Sequence, residues 1–118
     1  MAELVAETAH ESTDSPIWAI TAYFNPVGYR RRLWNYRFFR KGLSLPLLTV
    51  EFGWRGKFDL ATDDAELLIQ LDGPDVLWQR ERLLNIAVAN VPESVSKLVW
   101  LDCDVVFDNQ EDWIKHLD

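Results

Sequence analysis

"KLVWLDCDVVF", residues 97–107, sets the terms on which this chain folds. An apolar, β-prone run leads directly into Asp102 and Asp104, so a strand suited to the centre of a sheet delivers two carboxylates at its end. Strand side chains alternate between faces, which predicts Asp102 and Asp104 on one side and Cys103 on the other. Like charges at that spacing repel unless a cation or hydrogen-bond donors offset them. Carboxylate oxygens suit hard ions such as Mg²⁺ or Mn²⁺, and Mg²⁺ takes only one or two protein carboxylates before filling its shell with water and phosphate oxygens. A nucleoside diphosphate would complete such a shell.

Upstream, "DVLWQRERLLNIAVANVP" (75–92) carries Leu77, Leu83, Leu84, Ala87, Val88 and Val91 at helical spacing, with Asp75 as a possible cap and Pro92 as a stop. "AELLIQL" (65–71) and "LPLLTVEF" (45–52) read as buried strands, closed by "DGPD" and "GWRG". Lys57 to Asp64 reads as a surface connection between them. "YRRRLWNYRFFRKGL" places Tyr29, Leu33, Tyr36 and Phe39 on one helix face, with Gly42 as the stop and Trp34 and Phe38 off that stripe. "IWAITAYF" (17–24), closed by "NPVG", is the first strand. Residues 1–15 are small, polar and acidic and read as a mobile leader. Downstream, "NQEDWIKHL" suits a short last helix with Asn109 as its cap.

Strand, helix, strand, strand, helix, strand is the order of an α/β fold: a mostly parallel sheet with flanking helices and right-handed crossovers. A chain of 118 residues, 48% of them hydrophobic, holds a single domain, over 16–118. Open parallel sheets take ligands beyond the carboxyl ends of their strands. Asn25 after the first strand, Glu51 at the end of the second, and Asp102 with Asp104 occupy that edge.

Charge and cysteine usage narrow the classes further. The formal charge is −7, which opposes non-specific nucleic-acid binding. Arg30, Arg31, Arg32, Arg37, Arg40 and Lys41 make up half of the twelve basic residues. Such a segment reads as a solvated helix face paired with acidic neighbours ahead of a phosphate or partner site. The aromatics interleaved with it read as core packing ahead of base stacking. The single cysteine, Cys103, forms no internal disulfide, and no stretch has the length to span a bilayer, so a soluble, cytoplasmic protein is expected. Walker A, G-x-G-x-x-G, C-x-x-C and G-x-S-x-G patterns are absent.

"LWQRERLLN" followed by "WLDCD" resembles the nucleotide-sugar-binding, Rossmann-like half of GT-A fold glycosyltransferases of the family 2 type, in which a strand of this form carries a D-x-D motif. The likeness covers Ile17 to Trp113 in element order, with "NPVGYRRRLWNYRFF" and "PLLTVEF" in the places of that family's first strand-loop-helix and second strand. The resemblance implies a divalent metal cofactor, Mn²⁺ or Mg²⁺, and a nucleoside diphosphate sugar as donor. It implies that Asn25 and Pro26 border the nucleoside, Glu51 contacts the base or ribose, Asp102 touches the ribose or sugar, and Asp104 holds the metal with Asp102 beside it. Gln79 and Arg80, early in the second helix, would reach the donor.

The family's acceptor pocket and catalytic base come after the D-x-D strand, where this sequence offers only Glu111, Asp112, His116 and Asp118. A domain truncated after that strand is therefore expected, which supports donor binding more than turnover. The acceptor is unknown, and an uncovered flank implies pairing into a homo-oligomer. The competing expectation is a non-catalytic truncated α/β module that associates with other proteins through its sheet edge or aromatic helix.

Overall fold

The structure is a computed structural model that describes residues 3–6, 16–73 and 80–105. Five strands, β1 (Glu3–Ala6), β2 (Ile17–Phe24), β3 (Leu47–Trp54), β4 (Leu67–Gly73) and β5 (Lys97–Trp100), form one sheet in the order β1-β4-β3-β2-β5. β2, β3, β4 and β5 run parallel, and β1 adds to the edge of β4 in the antiparallel sense. The α-helices among the described residues are α1 (Arg30–Gly42) and α2 (Arg80–Ala89), with a 3-10 turn at Thr62–Asp64. A parallel sheet flanked by helices, compatible with a Rossmann-like fold, is what the alternating pattern predicts.

The strand pairing has a direct topological reading. β2, β3 and β4 follow one another across the sheet, then the chain returns through α2 and lays β5 on the other side of β2. Strand order therefore reverses between β2 and β5, and the carboxyl ends of those two strands flank the crevice that this creates.

Alternation along the strands separates two cores. Ala19, Tyr23, Leu47 and Leu68 pack with Tyr36 and Phe39 of α1. Trp18, Ile20, Leu48, Val50 and Ile69 pack with Leu83, Leu84 and Ala87 of α2. The buried polar side chains Thr21, Thr49 and Glu51 have the parity of the α1 face, so hydroxyls and a carboxylate are embedded on that side of the sheet.

Thr49, with polar groups of the 64–66 segment, clamps α1 to the sheet. The Tyr36 hydroxyl lies 2.8 Å from Thr49 Oγ1 and donates to the Asp64 carbonyl. Arg40 pairs with Glu66, whose Oε1 also accepts the Leu47 N–H at 2.7 Å, and Arg37 lies 3.3 Å from Asp64. Two members of the basic run are thus paired with acidic neighbours, as the charge pattern predicts. Trp34 and Phe38, off the apolar stripe, are 63% and 64% exposed.

Three expectations need correction. Glu3–Ala6 is an edge strand within the stretch that composition reads as a mobile leader, because β4 offers an unpaired backbone edge there. The Lys57–Asp64 connection is not wholly at the surface: Leu60 is buried and the segment's backbone is held by Glu51. The strand expected over 97–107 ends at Trp100, since aspartate favours turns over the pleated sheet. Its Val106 and Phe107, the last helix expected from Asn109, and Asp75 and Gln79 lie outside the described residues.

Candidate functional site

The D-x-D stretch forms a tight turn at the reversal of strand order. The Leu101 N–H donates to the Ile20 carbonyl and the Thr21 hydroxyl to the Leu101 carbonyl at 2.7 Å, which carries the β2–β5 alignment one residue past the strand. The chain then turns, closed by the Val105 N–H on the Asp102 carbonyl at 3.2 Å. Asp102 and Asp104 are exposed while Cys103 between them is tucked in, with its Sγ 3.6 Å from the Ala22 carbonyl. Exposure thus alternates along the turn. Burial, with Asp104 beside it, pushes the Cys103 thiol up to about 11, so the sulfur is protonated and inert near neutral pH.

Ala22, Tyr23 and Phe24 at the end of β2, Arg32 and Asn35 of α1, and Asp102 to Asp104 line an open cleft of about 380 Å³. Its walls carry opposite charges: the Arg32 guanidinium on the α1 side and the two aspartates on the turn. Phe24 and Arg32 also border a second cavity of about 390 Å³, completed by Asn25, Pro26, Val27 and Tyr29. Arg32 donates from Nη1 to the Phe24 carbonyl at 2.9 Å, which holds the guanidinium at the junction of the two cavities. The first turn of α1 has no acidic residue, so the positive end of the helix dipole is not offset there.

The remaining predicted residues are placed differently. Asn25 lines the second cavity with Pro26, but its amide is spent on the loop. Asn25 Oδ1 accepts the Tyr29 N–H at 3.0 Å, and Nδ2 donates to the Tyr29 carbonyl at 2.9 Å and to Asp59 Oδ2 at 2.8 Å. Glu51 is only 2% exposed, which sets it apart from the predicted contact with a base or ribose. Its carboxylate accepts the Asp59 and Leu60 N–H groups and the Gln70 side-chain amide at 2.6, 3.3 and 2.9 Å. Burial still raises this carboxyl above its ordinary range, because desolvation outweighs the three donors. Glu51 thus anchors the 57–60 segment. Arg80 opens α2, but its side chain, like Gln79, lies outside the described residues.

Sequence reasoning missed four residues around the site. Tyr23 donates from its hydroxyl to Asp59 Oδ2 at 2.7 Å, and burial with that bond holds the phenol protonated. This Tyr23–Asp59–Asn25 knot fixes the loop after β2. No local pattern signals it, since Tyr23 and Asp59 are 36 residues apart. Arg32 and Asn35 did carry a signal: each stands four residues before a member of the Tyr36 and Phe39 stripe, so the pair continues the sheet-facing side of α1 toward its amino end.

Two exposed carboxylates in one turn suit a cation that keeps most of its shell for water and ligand oxygens. A closed cage is a different arrangement, and among the described residues no three His, Cys, Asp or Glu side chains converge as one. No described helix is long and apolar enough to cross a membrane. Comparison of the chain with protein-family models, curated proteins and solved structures finds no match.

Proposed function

We propose that the cleft binds a nucleoside diphosphate sugar with a divalent cation, as the donor site of a GT-A-like glycosyltransferase. One observation carries the reading: Asp102 and Asp104 line a cleft at the reversal of strand order, the place where open α/β sheets take nucleotides. Asp104, with Asp102, would hold the cation, which when bound neutralises charge on the diphosphate as the sugar leaves. Phe24, Pro26 and Val27 offer the apolar surface on which a base would rest, on the loop fixed by Asn25. The cation, the donor and the transfer of the sugar to an acceptor rest on this reading.

A thermal-shift titration with UDP, GDP and their sugars, with and without Mn²⁺, tests it on the native protein and on Asp104→Ala. A ligand at a hundredfold excess over its Kd stabilises the folded state by about 2.7 kcal/mol. The expected result is a rise of several degrees in Tm that needs both nucleotide and Mn²⁺ and vanishes in the variant. A flat response to every nucleotide would sink the reading. It would favour the second one, an association module, for which the exposed Trp34 and Phe38 on α1 are the supporting observation.

A further inference from the structure

We infer that Arg32 recognises the diphosphate of the ligand and is the residue that makes the cleft select a diphosphate over an uncharged nucleoside. The inference rests on the donor-site reading above and extends it to a residue on the opposite wall. Arg32 lines both cavities, the one with the aspartate turn and the one with Pro26, Val27 and Tyr29. A ligand that spans them, with its base toward Val27 and its charged end toward Asp104, passes Arg32 with its phosphates.

The geometry favours a phosphate at this point over other chemistries. Arg32 is fastened to the Phe24 carbonyl through Nη1, so the guanidinium plane is oriented before ligand arrives. Its fork of N–H donors matches phosphate oxygens better than a lysine would. Two other members of the basic run serve other ends, since Arg37 and Arg40 pair with Asp64 and Glu66. The cleft is therefore dipolar. Carboxylates alone would attract any hard cation; the cation and Arg32 together demand an anion between them, which a nucleoside lacks. Asn35, on the same face of α1 and in the same cleft, adds a neutral amide capable of donating to the same oxygens.

Isothermal titration of the native protein, Arg32→Ala, Arg32→Lys and Arg31→Ala with UDP, GDP, ADP and CDP in Mn²⁺, and with the matching nucleosides, tests the assignment. Arg31 is exposed and lies outside the cleft lining, so its variant controls for loss of general positive charge. Loss of a charge-assisted phosphate contact is expected to weaken the diphosphate about 10- to 100-fold in Arg32→Ala, leaving nucleoside affinity unchanged. Arg32→Lys should recover part of the loss, and Arg31→Ala should bind as the native protein does. Native-like diphosphate affinity in Arg32→Ala, alongside Mn²⁺-dependent binding by the native protein, would overturn this assignment and spare the donor site. An equal loss of nucleoside and diphosphate affinity would also overturn it, as it would mean that Arg32 merely shapes the loop through Phe24. Absence of binding by the native protein would remove both readings together.

Discussion

The Tyr36 hydroxyl joins three parts of the molecule, α1 that bears it, Thr49 of β3 and the Asp64 carbonyl. Removing a buried hydroxyl leaves its partners unsatisfied, so Tyr36→Phe is expected to cost about 1–3 kcal/mol, read as a lower urea midpoint with unchanged slope. Combining it with Thr49→Val removes one stranded partner as well, so the double variant should lose less than the two single losses added together. Cys103 offers a chemical reading of the D-x-D turn. With its thiol pushed up to about 11, alkylation should be slow at pH 8 in the folded protein, rise steeply only as pH nears that value, and be fast at pH 8 in urea. Mass spectrometry of iodoacetamide-treated samples checks this. At this scale the sequence disclosed what was local and hid what was distant. Asp102 and Asp104 stand out because two charges follow an apolar run. The knot of Tyr23, Asn25 and Asp59 and the burial of Glu51 depend on pairings that no short window contains.

Periodicity located the elements, and their ends followed other rules. β2 covers the whole of the predicted "IWAITAYF", since a closed apolar run has little freedom in where it pairs. β3 and β4 run two residues past their predicted ends at Phe52 and Leu71, to Trp54 and Gly73, because each supplies the ladder that prolongs the other: Phe52, Gly53 and Trp54 pair with Leu71, Asp72 and Gly73. β5 fell short for the reason that makes its end chemically interesting, as aspartates leave a ladder more readily than they join it. β1 was illegible because its four residues gain a strand conformation only from the edge of β4. A chain beginning at Pro16 should therefore expose that edge. Hydrogen exchange at Leu67 to Gln70 is expected to quicken at least tenfold relative to β3 in such a chain, a shift of about 1.4 kcal/mol in local opening, together with a greater tendency to self-associate. Unchanged protection would mean that β1 contributes nothing to the sheet.

Across the whole molecule the two sides of the sheet carry different duties. The α2 side is an apolar contact between Leu83, Leu84, Ala87 and the strands, whereas the α1 side embeds hydroxyls and carboxylates that tie helix, loop and sheet together. The cleft opens at the carboxyl ends of β2 and β5, walled on one side by Arg32 and Asn35 of α1. Its two strands come from opposite ends of the chain: Thr21 and Leu101, which share a hydrogen bond beside the cleft, are 80 residues apart. Closing a loop of that length must precede any gain from the pairing, which makes this junction one of the costliest to form during folding. A chain with β5 undocked would lack the aspartate wall of that cleft. A ligand that needs that wall would bind the completed topology alone and would draw the population toward it by mass action, a form of proofreading of the chain's own assembly.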